Sequence, residues 1–504
     1  MTLTPKSIYA DFASNSIDKA SAVELLIDLI EHSEDIDVRL ECIEIFSIID
    51  PKSQKLFNFL ENLFISDSHY RCRTLAGKLL SNLFKDKVLT PMEHALQHEK
   101  ALSCIITILS TLGEIESNES KAILTRKVKK IDEDRVKKYL ESLFEEKNFE
   151  ELTNSELSAM LINESIISSL KLKFGYVSYD IENGAIVKLD LSNADKLGVG
   201  ITDLEMFLES ILTLPLLREL DLKFNNIIKI TKNIEKSNTL ELLDLSYNRI
   251  TRLPEAIGAL SSINTLNLKA NRFVSLPESI GLLKSMKVLN LRYNKLKTIP
   301  KSINSLKNLK ILDLHGNKLE TIPELNGLEN LIELELGWNE IADLTNLPDK
   351  LGTLPRLKKF SIGGNKISAI NSEDISTLYS LKEFNLYDNN LNTIPENIGE
   401  ISSLEVLNLR NNSKIKSIPD SINSLSSLKK LNLSWCSLTG LPEWIGELHS
   451  LEELNLWGNK IETLPESIEN LSGTLRILDL KFNKIKTKPS FIIDMEKNGL
   501  IIKI

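Results

Sequence analysis

His94 and His98 stand four residues apart on a stretch with helical patterning, a spacing that would let two imidazoles share a metal ion. No third ligand is evident, and Glu93 precedes His94, so the His-Glu-x-x-His arrangement of a zinc hydrolase is not formed. Two surface histidines are the reading, and no metal is expected. Gly77-Lys78 is the only Gly-Lys pair; Leu79 follows it and Cys72 stands where a phosphate-binding loop needs its first glycine. Cys42, Cys72, Cys104 and Cys436 are scattered, and no Ser-His-Asp or Cys-His set can be argued from spacing. No catalytic residue and no cofactor is expected.

The side chains that could act are those that bind. Tyr247, Tyr293, His315, Trp338, Tyr387, Arg410, Trp435 and Trp457 recur at intervals set by a repeat, in a chain only 6% aromatic. Trp, Tyr and Arg dominate the energetics of protein interfaces, so these eight are the candidate protein-binding residues. Phe224 and Phe482 extend the series toward its ends, where less is expected of them.

What must position them is a sentence written twelve times, Leu-x-x-Leu-x-Leu-x-x-Asn-x-Leu. It begins at 217, 240, 263, 286, 309, 331, 357, 381, 404, 428, 451 and 475. A period near 23 residues marks a solenoid whose units bury their apolar faces only against their neighbours. The Leu-x-Leu pair has strand period, so both leucines point inward and the residue between them faces out. That outward position runs from Asp221 and Asp244 through Asn267, Asn290, Asp313, Glu335, Ser361, Asn385, Asn408, Asn432 and Asn455 to Asp479, without one cation. The asparagine of each unit is expected to satisfy backbone groups at the turn leaving the strand. The tenth unit has Cys436 there and should be softer. Regularity breaks at the 26-residue unit from Leu331, where Asp343 to Leu354 reads as an insertion, and again at Ala369 to Asp374. Gly363-Gly364 between them leave a bare patch on the outward face.

These residues are the signature of the leucine-rich repeat family. Leu253-Pro254-Glu255-Ala256-Ile257-Gly258, with its counterparts at 276, 394 and 441, resembles the LPxxIGxL pattern of the intracellular Ras-group proteins. The resemblance covers 217 to 487 and implies an α/β solenoid with a parallel β-sheet on its concave face. It also implies a small GTPase or a phosphatase as candidate partner.

Residues 1–113 read as helices. Val38-Arg39-x-x-Cys42-x-x-x-Phe46-x-x-Ile49 aligns with Cys72-Arg73-x-x-Ala76-x-x-x-Leu80-x-x-Leu83 at an offset of 34, with a looser copy from Ala101 to Gly113. The pattern resembles HEAT repeats, which implies an N-terminal all-α domain of stacked helix pairs. Residues 114–175 read as a helical connector. Residues 176–504 read as the solenoid, with a hairpin cap at 176–191 turning at Asn183-Gly184, and a C-terminal cap at 486–504. Chain and solenoid end together, so no further domain is expected there.

At 504 residues and a net charge of −9, the chain has no basic field for nucleic acid. Its most basic point, Arg126 to Lys130, is followed at once by Asp132, Glu133 and Asp134 and reads as a solvated helix face. No apolar run is long enough to span a bilayer and no secretory leader is visible, so membrane insertion is not expected and a cytoplasmic location is. The expected function is a non-enzymatic scaffold or adaptor that grips a protein on the concave face. The alternative is a regulatory or substrate-selecting subunit docked to an enzyme through the N-terminal helices.

Overall fold

A computed structural model describes residues 3–49, 52–131, 151–175, 177–182, 185–194, 207–208, 210–212, 214, 216–344, 351, 354–370, 375 and 378–504. The hairpin turn at Asn183-Gly184, the acidic run from Asp132 to Asp134 and most of the two expected insertions lie outside them. The chain forms two compact units, Met1–Leu217 and Arg218–Ile504.

In the first unit, eight helices follow one another through residue 128: α1 Pro5–Ala13, α2 Lys19–His32, α3 Ile36–Ile49, α4 Gln54–Ser66, α5 Tyr70–Leu83, α6 Leu89–His98, α7 Leu102–Glu114 and α8 Asn118–Val128. A longer helix, α9, spans Asn154–Phe174, and β1 (Ser178–Glu182) pairs antiparallel with β2 (Ala185–Asp190). Polar caps start many of these helices. Asp18, Ser53 and Ser117 each accept the amide three residues on, and Thr153 with Glu156 forms a reciprocal capping box. Small residues mark the tightest crossings. A methyl on Gly113 of α7 would sit 2.6 Å from Ser158 of α9, and Ser158 Oγ donates to the carbonyl of Leu109 at 2.6 Å.

The 34-residue offset has a structural counterpart. Arg39, at the start of α3, pairs with Asp67 in the α4–α5 loop; Arg73, at the start of α5, pairs with Glu99 in the α6–α7 loop through two bonds of 2.9 and 3.0 Å. Each acid also holds the segment that begins the next helix. Asp67 accepts the amide of His69, and Glu99 accepts those of Lys100 and Ala101. Burial works against ionising Glu99, but Arg73 and the two amides outweigh it and hold its carboxyl below the usual glutamate range. A carboxylate held low contributes stability above its unfolded pKa and loses it as pH falls through the folded value. Glu99→Gln is therefore expected to cost the helical unit about 1 to 3 kcal/mol at pH 7. In denaturant titrations the gap between wild type and variant should narrow as pH falls below the ordinary glutamate range.

The second unit is built from the repeats. Twelve three-residue strands, β3 (Glu219–Asp221) to β14 (Ile477–Asp479), lie parallel and in unbroken register, and β15 (Ile501–Lys503) pairs with β14. Central strand residues such as Leu220, Leu334 and Phe384 are buried, and their neighbours face outward. Opposite the strands, seven prolines at the same place in their repeats each precede a single 3₁₀ turn: Pro254, Pro277, Pro300, Pro395, Pro419, Pro442 and Pro465. Their φ near −70° suits that entry, and no ladder amide is lost because the strands lie elsewhere. The terminal helix α10 (Ser490–Lys497) buries Ile492 and Met495.

Candidate protein-binding face

Each repeat asparagine works as expected, and Asn248 shows how. Its amide nitrogen donates to the carbonyls of Leu222 and Leu245 at 2.9 Å, and its oxygen accepts the Ile227 amide of the preceding unit at 2.9 Å. At the tenth unit Cys436 Sγ reaches the Leu409 carbonyl at only 3.5 Å. The amide that would seek it, Ile415 N–H, donates instead to the Asn412 carbonyl at 3.0 Å, so no orphan is left.

This ladder forces the backbone just before each asparagine into the left-handed region. Phe224, Tyr247, Ala270, Tyr293, Trp338, Asp388, Asn411, Trp435 and Phe482 all have φ between 51° and 59°, and Gly316, Gly364 and Gly458 complete the column. The eight candidates therefore fall into two columns, one and two residues before the ladder position. Tyr247, Tyr293, Trp338 and Trp435 occupy the left-handed column and are exposed, Trp338 by 55%. His315, Tyr387, Arg410 and Trp457 stand one residue earlier on the outward strand face. Of these Arg410 is exposed, Tyr387 and Trp457 are half-buried, and His315 is only 6% exposed. His315, expected on an open surface, is thus nearly closed off by its neighbours. Phe482, near the end of the series, is 74% exposed.

Three of the exposed rings pack against a glycine of the following unit. A methyl on Gly316 would lie 2.4 Å from the Tyr293 ring, one on Gly364 2.9 Å from Trp338, and one on Gly458 2.9 Å from Trp435. Each of these three rings thus rests on a glycine of the next unit while staying between 44% and 55% exposed. Edge packing and availability for binding coexist in the same side chain. Phe224 stacks on Tyr247 at 4.3 Å, Lys269 lies over Tyr247, and Arg292 lies 4.8 Å over Tyr293. At the far end Trp435, Trp457 and Phe482 form a chain of ring contacts at 5.3 and 5.9 Å. Trp444 lies elsewhere, half-buried on an outer turn, its indole N–H donating to Asp420 at 2.7 Å.

Midway along the face, Tyr293, His315, Gly316 and Trp338 line a cleft of about 490 Å³. Behind it stand the directly paired Asp313 and Glu335. Burial pushes both carboxyls above their ordinary range, although Arg292 lies 3.7 Å from Asp313. Burial also lowers the His315 imidazole to about 4, so it is neutral at pH 7. Residues 313 and 335 were legible as part of the polar stripe; their partial burial follows from the neighbouring rings and was not.

The histidines at 94 and 98 are exposed, with rings 5.3 Å apart, and no group of three metal-binding side chains occurs among the described residues. Burial raises Cys42 to about 12 and Cys104 to about 11, which keeps these thiols unreactive. No described helix is long and apolar enough to cross a membrane.

Models of known families match most of this face. One described as "Leucine rich repeat" matches residues 215–273, 261–319 and 284–341, and one described as "Leucine-rich repeat region" matches 363–488. Among solved structures, an internalin of Listeria monocytogenes is 20% identical, with a TM-score of 0.53 over 68% of this chain and 93% of that one. A TDR receptor is 27% identical, with a TM-score of 0.51 over 59% of this chain and 57% of the other. A leucine-rich repeat protein of Leptospira interrogans is 29% identical over 58% and 86% of the two chains, at a TM-score of 0.45. An adenylate cyclase of Neurospora crassa is 39% identical over 66 residues, which are 13% of this chain and 3% of that protein.

Proposed function

The chain belongs to the leucine-rich repeat family, and from that premise we propose that it is a non-enzymatic scaffold holding a protein partner on its strand face. One observation carries this reading: Tyr247, Tyr293, Trp338 and Trp435 stand in one column, in one backbone state, each between 41% and 55% exposed. Rigid aromatic side chains on a preformed sheet lose little entropy on binding, which is what an interface hot spot needs. Twelve units at about 4.8 Å per rung give a face of about 55 Å, enough for a standard interface of roughly 1,600 Å². The Ras-group pattern of the outer turns favours a small GTPase or a phosphatase as that partner. The setting proposed is the cytoplasm.

The test is quantitative affinity capture with wild type and with Trp338→Gly/Trp435→Gly. Glycine already occupies the same backbone position at 316, 364 and 458, so the variant should keep its fold. Capture is expected to fall at least tenfold, or about 1.4 kcal/mol, with melting shifted by no more than a few degrees. Partners retained equally by both proteins would move the docking site to the helical unit. The chain would then be better described as a regulatory or substrate-selecting subunit.

A further inference from the structure

On the flank where the chain leaves each strand, the residue after the ladder asparagine forms a column of its own. Its amide donates to a carbonyl of the preceding unit: Arg249 to Ile227, Arg272 to Ile250, Lys295 to Phe273 and Lys318 to Leu296, at 2.8 to 2.9 Å. Those bonds hold the four residues in register, one rung apart, so the row is about 14 Å long. All four are cations, and all four are exposed. Arg252 and Lys297, three and two residues further along their segments, are exposed as well. None of the six side chains makes an ion pair or a hydrogen bond with any described residue.

Such a row is unfavourable in itself. Like charges on neighbouring rungs repel, and elsewhere the repeat unit pairs its charges. Where the chain enters its strands, Lys359 meets Glu383, Lys430 meets Glu453, and Glu405 lies between Lys382 and Lys429. The acids that follow the row serve other groups. Glu255 and Glu278 accept the amides of Ser279 and Ser302 in the next unit, and Glu340, which ends the row, pairs with Lys366. Glu320 is exposed two residues after Lys318 and closes no ion pair with a described residue.

We infer that this row receives an acidic segment of the partner protein, extended along the stack with its carboxylates on Arg249, Arg272, Lys295 and Lys318. An extended chain rises about 3.3 Å per residue, so four or five residues span the row. A protein segment fits better than a nucleic acid, because it can confine its charge to that length. A phosphate backbone would carry charge onward past Glu340 and beside Asp244 and Asp313, on a chain whose net charge is −9. This inference rests on the reading of the chain as a protein-binding scaffold, and adds the chemistry of one segment that it holds.

The full chain is titrated into a fluorescein-labelled peptide of eight glutamates, with anisotropy read at about 0.05 M and about 0.3 M salt, between which exposed charges become screened. Wild type is expected to bind, more weakly at the higher salt. Arg272→Gln/Lys295→Gln should weaken binding at least about fivefold. Its melting should be unchanged or slightly raised, because the two charges removed are unpaired and repel each other. Lys359→Gln/Lys430→Gln removes the same charge from paired positions and should leave binding within about twofold. Binding that is absent, that falls equally in both variants, or that an octamer of uridylate exceeds, overturns the inference. In affinity capture, a partner lost with Trp338→Gly/Trp435→Gly but kept with Arg272→Gln/Lys295→Gln also overturns it and leaves the strand face standing. A partner that needs the row and ignores the two tryptophans upholds it and moves the docking surface from the strand face to the flank.

Discussion

Alanine at Asn339 is expected to lower the stability of the repeat unit by about 3 to 5 kcal/mol, among the largest effects of any single polar truncation on this chain. The side chain donates to the carbonyls of Leu314 and Leu336 at 3.0 Å and accepts the Leu319 amide at 3.0 Å. All three backbone groups lie inside the solenoid, where water cannot replace the lost partner. Asn339 is itself buried, and its bonds with Leu314 and Leu319 tie its unit to the preceding one. The loss should therefore spread to the neighbours through the interface energy on which a repeat array depends. Denaturant unfolding would show it as a lower midpoint, and amide exchange at Leu319 should accelerate far more than at Ile415. Cys436→Ala provides the contrast. There the equivalent amide already has an acceptor within its own turn, so a change of about 1 kcal/mol or less is expected. An equal loss at both positions would show that the ladder bonds are not what holds the units together.

Gly446→Ala is expected to cost about 2 to 4 kcal/mol, although it adds one methyl group to an outer turn. That methyl would stand 2.1 Å from the backbone oxygen of Ser467 in the next unit, a distance no side-chain adjustment relieves. The same approach recurs at Gly281, 2.4 Å from Ser302, and at Gly399, 2.1 Å from Ser421. The glycine that ends the LPxxIG segment is thus a stacking requirement, because each outer turn rests on the backbone of its successor. Backbone conformation is not the reason, since none of the three has positive φ. Gly440→Ala is the matched control: nothing lies within 4 Å of its added methyl, and removing glycine's freedom in the unfolded chain should leave stability unchanged or raise it slightly. Thermal melts of the two variants side by side would decide the matter. A Gly446→Ala protein as stable as wild type would mean that the outer turns can slide apart at little cost.

Much of the fold was open to reading because the repeat states its own geometry. The Leu-x-Leu pairs, the twelve starting positions and the prolines of the outer turns are local patterns, and each has one physical solution once the period is recognised. The ladder asparagines were equally legible, since a short polar side chain at a fixed place beside a buried turn has backbone groups to satisfy. In the helical unit the alignment of Arg39 with Arg73 was visible, whereas their partners Asp67 and Glu99 were not. They lie 28 and 26 residues further on, in loops whose placement depends on how two helices pack.

The candidate site divides along the same line. Which residues belong to the outward face follows from alternation alone, and so the identity of the aromatic series was decided by the amino-acid order. Only the folded chain sorted that series into a left-handed column of open rings and a strand-face column that includes the nearly buried His315. Only there do the rings of His315 and Tyr387 come to cover Gly337 and Gly363, 26 residues apart in the chain. The reason is that periodicity specifies direction, a property of a residue and its immediate neighbours. Exposure and partnership depend on what the adjacent units bring alongside, and stacking alone determines that.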